Sequence, residues 1–278
     1  MSSNMVRRVA FAAVAIPVAL ALVWFGGWVL AAAVAILGAL GAREVYDLAR
    51  RAGVEALRAP GLLAALAIPV IVLAAPSQGW FLGIVWLLAL PALAMARGPG
   101  AKPLAAVSVT AFGALYASGS LAFLLPLRED VVGPLDAAAR TALVAFPLAL
   151  TWLCDTAAMT VGRAVGGAKM APVLSPNKTW AGGIGGAVAA LVAAGLVGLF
   201  GLNRLGWTFT LPQLLGVGLV VSVLGQMGDV AESLFKREVG VKDSSNLLPG
   251  HGGILDRLDS LYFVIPATAV LFRGYGIL

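Results

Sequence analysis

The densest group of chemically active side chains lies between residues 233 and 259, in the order SLFKREVGVKDSSNLLPGHGGILDRLD. Lysine and arginine can neutralise phosphate oxygens, and aspartate supplies the hard oxygen ligands that suit Mg²⁺. A metal-bound polyphosphate needs both, because carboxylates hold the ion while cations balance charge that shifts during reaction. This signature segment therefore predicts a site of that kind. Its cations are Lys236, Arg237, Lys242 and Arg257, and its aspartates are Asp243, Asp256 and Asp259.

Two further aspartates follow long apolar runs, Asp155 after Thr141 to Cys154 and Asp229 after Leu214 to Met227. A carboxylate at membrane depth costs about 2.5 to 3.5 kcal/mol on insertion scales, so both are functional candidates. A structural hydrogen bond or ion pair within a helix bundle is the alternative for each. The chain between Asp229 and Asp256 is long enough for these two carboxylates to share a site.

A second polar segment, Ser175 to Thr179, adds Ser175 and Lys178 as candidates for substrate binding. His251 is the only histidine, which excludes a site built from several histidines. It can act as a general base, as a hydrogen-bond donor to phosphate or as a loop cap, and the sequence does not separate these roles. The simpler alternative for the whole set of charges is a solvated loop that attracts anionic lipid headgroups.

The composition indicates the elements that must position these groups. Of the 278 residues, 60% are hydrophobic and 12% are charged, whereas soluble domains carry about 25% charged residues. This excludes disorder, a coiled coil and a disulfide scaffold, and Cys154 is a single cysteine that we interpret as a packing residue. The net charge of +6 does not imply a nucleic-acid partner, because cytoplasmic loops of membrane proteins collect lysine and arginine.

Nine apolar stretches approach the roughly 20 residues that a membrane-spanning helix needs. The sequence therefore predicts an all-α, polytopic membrane protein with about nine transmembrane helices. With a cytoplasmic N-terminus, 15 of the 19 lysines and arginines lie on the cytoplasmic side, as the positive-inside rule requires. The expected stretches are Val9–Trp24, Trp28–Ala49, Gly61–Ala75, Trp80–Ala96, Leu104–Pro126, Arg140–Val161, Gly182–Gly201, Leu211–Phe235 and Leu258–Phe272.

These stretches fall into two expected regions, five N-terminal spans in residues 1–139 and a catalytic region of four spans in residues 140–278. Within the seventh stretch, small residues recur every four positions, which predicts close helix packing. Internal packing is the favoured interpretation, and a subunit interface in a homodimer is the alternative. The small residues are Gly182, Gly186, Ala190, Ala194 and Gly198.

The signature segment resembles that of the CDP-diacylglycerol synthases, or phosphatidate cytidylyltransferases. Two weaker family segments appear in the expected order, Asp155 to Lys169 and SPNKTW from Ser175 to Trp180. One departure is Ala181, where family members usually carry glutamate. The matching signature positions are Ser233, Phe235, Lys236, Arg237, Lys242, Asp243, Ser245, Leu248, Pro249, His251, Gly252, Gly253, Asp256, Arg257 and Asp259.

The resemblance implies an enzyme of phospholipid biosynthesis that converts CTP and phosphatidic acid into CDP-diacylglycerol and pyrophosphate. It implies Mg²⁺ or another divalent cation, with Asp229 and Asp256 as ligands and Asp243 and Asp259 as lesser candidates. The implied phosphate contacts are Lys178, Lys236, Arg237, Lys242 and Arg257.

The implied location is the inner (cytoplasmic) membrane, with the active site facing the cytoplasm. Two alternatives stay open from the residues: a CTP-dependent lipid kinase, and a transporter that uses Asp155 and Asp229. The resemblance covers about the C-terminal half of the chain, whereas the first 140 residues match only as apolar spans.

Overall fold

The computed structural model describes residues 3–247 and 252–278, with side chains from residue 13 onward. Contacts divide the chain into a first unit, Met1–Leu125 with Phe235–Leu258, and a second unit, Pro126–Leu234 with Asp259–Leu278. The helices are α1 Ser3–Phe25, α2 Gly27–Arg51, α3 Arg58–Ala74, α4 Gly79–Met95, α5 Pro103–Gly113, α6 Ser120–Ala122, α7 Leu124–Glu129, α8 Ala137–Val165, α9 Trp180–Phe200, α10 Leu211–Glu238, α11 Leu255–Leu258 and α12 Leu261–Gly274.

In the first unit, α2 packs against α3, α5 and a π-helical turn, Ala114–Gly119. The buried Tyr46 of α2 donates its hydroxyl proton to the Thr110 carbonyl at 2.9 Å. Its ring occupies the space beside Gly61 of α3 and Gly113 of α5, where a Cβ atom would collide with it. These two glycines therefore let three helices close around one aromatic side chain.

The last turn of α10 belongs to the first unit through an aromatic contact. The Phe235 ring lies edge-on to Phe112 and Tyr116, with ring centroids 5.5 and 6.1 Å apart. Edge-to-face aromatic pairs at this distance add to the gain from apolar burial. This contact fixes the end of the helix from which Lys236 and Arg237 extend.

In the second unit, α9 approaches α8 closely at Gly182 and Gly186, and all five small residues of α9 are buried. A Cβ atom on Gly186 would lie 2.8 Å from the Cys154 carbonyl oxygen, so the helix backbones leave no room for one. The opposite face of α9 exposes large apolar side chains, which suits lipid contact: Ile184, Val188, Val192 and Leu196. The internal-packing interpretation is confirmed, and Cys154 is buried as expected.

The all-α fold class is confirmed, and one short β-hairpin accompanies the helices. Six helical segments of the described residues are long and apolar enough to span a membrane, and three shorter apolar helices accompany them. Each of the nine predicted stretches overlaps one of these. The count of crossings and the orientation stay predictions.

The differences from the expected elements are local. The fifth stretch contains the π-helical turn, and the ninth is divided between α11 and α12. The loop after α8 forms an antiparallel hairpin of β1 Lys169–Ala171 and β2 Ser175–Thr179. The expected functional division at residues 139 and 140 stays a prediction, because the contact-based units are discontinuous in sequence.

We expect Gly186→Ala to lower the unfolding free energy, because overpacking costs about 1–3 kcal/mol. The matched control is Gly83→Ala in α4, where an added Cβ meets nothing within 4 Å and helix propensity gains up to about 1 kcal/mol. Thermal unfolding in detergent measures both variants. Equal midpoints would contradict the tight packing of α8 against α9.

Candidate functional site

The second unit brings Lys178 and Asp229 together. The hairpin strand β2 carries Lys178, and the next residue, Thr179, caps α9 by accepting a hydrogen bond from the Gly182 backbone N–H at 3.1 Å. The Lys178 Nζ lies 2.7 Å from Asp229 Oδ2, and both side chains are partly buried. Asp155 of α8 interacts electrostatically with this pair. Two carboxylates therefore lie in the electrostatic neighbourhood of one ammonium group.

Ser175 and Asp259, the other predicted site residues of the second unit, make contacts with neighbouring residues of the chain. Ser175 pairs across the hairpin with Ala171 and is partly buried. Asp259 Oδ1 accepts a hydrogen bond from the Ser260 backbone N–H at 2.7 Å. These contacts give Ser175 and Asp259 local structural roles, and their predicted roles toward substrate are untested.

In the first unit, Lys236 and Asp256 form the most buried ion pair of the site. Lys236 Nζ lies 2.6 Å from Asp256 Oδ1, and the two side chains are 10% and 5% exposed. Asp256 Oδ2 accepts three more hydrogen bonds, each at 2.8 Å, from the backbone N–H groups of Ser244 and Gly253 and from the Ser244 hydroxyl.

These donors keep Asp256 ionised. Burial raises the pKa of the Asp256 carboxyl, but the Gly253 N–H, the Lys236 ammonium and the Ser244 N–H together lower it below its ordinary value. Because the folded pKa is lowered, the stabilisation from these contacts is present at neutral pH and is lost only as the pH falls through the folded pKa. Asp256 is thus a fixed negative charge under physiological conditions.

The two glycines after His251 serve this carboxylate. Gly252 has a φ of +82°, and a Cβ there would lie 2.5 Å from Asp256 Oδ2. A Cβ on Gly253 would collide with Ser244 Oγ and with a carboxylate oxygen of Glu44. The backbones of these two glycines therefore approach the protein's own carboxylates. His251 itself and Gly250 lie outside the described residues.

Glu44, near the C-terminal end of α2, is the residue that the sequence analysis missed. Its side chain is buried, and its two oxygens accept hydrogen bonds from the loop that follows α10. The donors are Ser244 Oγ at 2.9 Å, Ser245 Oγ at 2.7 Å, the Ile254 N–H at 3.0 Å and the Leu255 N–H at 2.9 Å. Glu44 lies among the charged residues Arg43, Asp47 and Arg50 near the end of α2, and nothing in that stretch of sequence distinguishes it from them.

The remaining predicted cations are exposed. Lys242, Asp243 and Arg257 extend from the surface of the first unit, and Arg237 donates to the Val241 carbonyl at 2.8 Å. A polar cavity of about 340 Å³ lies beside Lys242 and Asp243. Its lining residues are Asp47, Arg50, Arg51, Lys242, Asp243, Ser244, Ser245 and Asn246. Three of these residues are cations and two are carboxylates, so the lining has a small excess of positive charge.

The fit of a divalent cation differs between the two predicted ligands. No cluster of three or more His, Cys, Asp or Glu side chains at metal-binding spacing occurs among the residues described. Mg²⁺ commonly uses one or two carboxylates together with substrate phosphates, so the partly exposed Asp229 fits this requirement. Asp256 already accepts four hydrogen bonds and fits only if Lys236 is released. Each aspartate lies in its own unit, and a shared site stays a prediction.

We expect Gly252→Ala to release the loop around Asp256, because the added Cβ would collide with the carboxylate. The control is Gly240→Ala, which carries the same left-handed strain at φ +68° but meets nothing within 4 Å. Hydrogen–deuterium exchange of the Ser244 and Gly253 amides measures the effect. Equal exchange in both variants would show that strain, and not the contact with Asp256, governs this loop.

Known proteins of one family resemble this chain. The model of the Cytidylyltransferase family matches residues 6–275. The phosphatidate cytidylyltransferase of Brucella suis biovar 1 is 45% identical over 162 residues, 58% of this chain and 55% of the relative. That of Staphylococcus aureus strain COL is 46% identical over 128 residues, 46% of this chain and 48% of the relative. The matched part thus spans about half the length of these relatives. The predicted resemblance is confirmed, and the chain belongs to the cytidylyltransferase family.

Proposed function

We propose that this protein transfers a cytidylyl group from CTP to phosphatidic acid, which gives CDP-diacylglycerol and pyrophosphate. The observation that carries the proposal is the pair of acid–base contacts, Lys178 with Asp229 and Lys236 with Asp256, formed by residues that the resemblance assigns to the reaction. In each ion pair, the ammonium group is suited to contact a phosphate, and the carboxylate is suited to contact the cation that accompanies the phosphates. Relatives named phosphatidate cytidylyltransferase support the same substrates.

In the proposed reaction, a phosphate oxygen of phosphatidic acid attacks the α-phosphorus of CTP. The new phosphorus–oxygen bond forms as the bond to the oxygen bridging the α- and β-phosphorus atoms breaks, and pyrophosphate leaves with that electron pair. The nucleophile is already an anion at neutral pH, so the step requires no strong base. Positioning and charge neutralisation by lysine and arginine side chains supply the catalysis.

The cations divide this work by their exposure. Lys242, Arg237 and Arg257 are exposed and are proposed to contact the incoming phosphates of CTP. Lys178 and Lys236 are held by carboxylates, so their ammonium groups are already oriented before substrate binds. Orientation before binding lowers the entropy cost of the reactive arrangement.

A divalent cation, Mg²⁺ or a similar ion, is proposed to be held by Asp229, with Asp256 as the second predicted ligand. When bound, such an ion neutralises phosphate charge and the charge that develops on pyrophosphate. Asp229 Oδ2 lies 2.7 Å from Lys178 Nζ, and carboxylate oxygens are ligands that suit a hard cation.

We expect α-labelled CTP to transfer its label to the lipid when purified protein receives phosphatidic acid and Mg²⁺. γ-Labelled CTP should leave the lipid unlabelled, because pyrophosphate carries that label away. Label from the γ-position in the lipid would replace the proposal with a lipid kinase. Transfer of neither label would contradict an enzymatic function and favour the transporter that uses Asp155 and Asp229.

Asp229→Asn should lower incorporation of the α-label by about 100-fold or more, because an amide neither holds the cation nor balances Lys178. Asp130→Asn, at an exposed position, is the control for loss of one negative charge. Both variants should unfold at temperatures close to wild type. Turnover near wild type in Asp229→Asn would contradict its assignment.

We further propose that the protein is a multi-pass protein of the cytoplasmic membrane with its N-terminus and active site in the cytoplasm. The distribution of positive charge supports this orientation. It also brings together the two substrates, since CTP is dissolved in the cytosol and phosphatidic acid lies in the bilayer. A homodimer that forms through the small residues of α9 was the alternative to internal packing, and it stays a prediction.

Single cysteines test this orientation. In a Cys154→Ser background, we expect Val173→Cys in the hairpin turn to be labelled by an impermeant maleimide only from the cytoplasmic side. Val132→Cys, after α7, should be labelled only from the opposite side, and both positions are well exposed. Sealed right-side-out and inverted vesicles provide the two sides. The reverse pattern would invert the proposed topology.

A further inference from the structure

Glu44 is buried in the first unit, and its hydrogen-bond donors among the described residues are all neutral. Its side chain is 3% exposed, and four neutral donors satisfy its oxygens: two serine hydroxyls and two backbone N–H groups. All four donors belong to the signature loop, residues 239–247 and 252–254, or to the first residue of α11. A buried carboxylate that loses such donors is strongly unfavourable, so the contacts bind the loop firmly to α2.

Ser244 lies between this carboxylate and that of Asp256. Its hydroxyl oxygen is 2.9 Å from Glu44 Oε2 and 2.8 Å from Asp256 Oδ2, and a hydroxyl has one proton to donate. The two carboxylates therefore hold the same short segment from two sides. Gly253, which has no room for a side chain, allows both to approach.

The same helix also contributes to the cavity beside the loop. Arg50 and Arg51, on the turns of α2 that follow Glu44, line it together with Lys242 and Ser245. Glu44 does not line the cavity, so it has no direct access to a ligand there. Its contacts instead fix the distance between the cations of α2 and those of the loop.

We propose that Glu44 is a positioning residue for the reaction: through Ser244, Ser245 and the backbone before Asp256, it holds the signature loop in the arrangement that receives the triphosphate of CTP. This inference rests on the proposed function for its substrate. The contact by which Glu44 holds the signature loop against α2, called the clamp below, rests on the hydrogen-bond geometry alone.

Glu44→Gln tests the proposal, because glutamine keeps the size of the side chain but replaces one acceptor oxygen by an NH₂ group that faces donors. We expect exchange of the Ile254 and Leu255 amides to accelerate at least tenfold. The KM for CTP should rise at least tenfold, with a smaller change in kcat. Glu44→Asp, which keeps both oxygens on a shorter side chain, should restore part of the affinity for CTP.

Ser118→Ala is the matched control, since it removes another buried hydrogen bond of the first unit, from Ser118 Oγ to the Ala65 carbonyl. We expect it to lower thermal stability without changing the KM for CTP or the exchange of Ile254. An equal rise in KM in this control would reduce Glu44 to a general contributor to stability and overturn the proposal.

Ser245→Ala approaches the contact from the other side and keeps the test valid if Glu44 variants fail to fold. It should raise the KM for CTP in the same direction, and combined with Glu44→Gln the effects should be less than additive. Fully additive effects, or wild-type exchange of Ile254 in both single variants, would overturn the clamp. Absence of label transfer in the wild type would instead contradict the proposed function, and the exchange data would still decide on the clamp.

Discussion

A carboxylate removed from water must be met by hydrogen-bond donors, and this requirement organises the first unit. Glu44 and Asp256 are both largely buried, and each lies within hydrogen-bond distance of four donors, of which the Ser244 hydroxyl is common to both. Most of the donors come from a loop with little regular structure of its own. A loop rich in serine and glycine is therefore held in one arrangement by the cost of leaving either charge unsatisfied.

The second unit solves the same problem with an ion pair. Lys178 is carried by a hairpin whose last residue caps α9, and the close packing of α9 on α8 fixes where that hairpin ends. The ammonium group then reaches Asp229 at 2.7 Å. Glycines at a helix contact thus determine the position of a charged group, because each bulkier residue there would separate the two backbones.

In a soluble protein, the large apolar side chains of a helix face the interior, whereas on α9 they face outward. On α9, the small side chains point inward and the large apolar ones outward, as expected where lipid is as apolar as the interior. Many of the charged side chains lie near helix ends and in loops, where water and lipid headgroups can reach them.

The sequence by itself determined the helical membrane fold, the approximate limits of the helices and the family, since apolar runs and spaced motifs are local properties of the chain. It also predicted candidate site residues, including Lys178, Asp229 and Asp256, whose roles stay predictions. It did not predict the hairpin, whose pairing depends on packing against other elements, nor that Lys236 contacts Asp256. Only the tertiary structure assigned a role to Glu44, because its donors lie about 200 residues further along the chain, and a contact at that separation leaves no periodic pattern in the sequence.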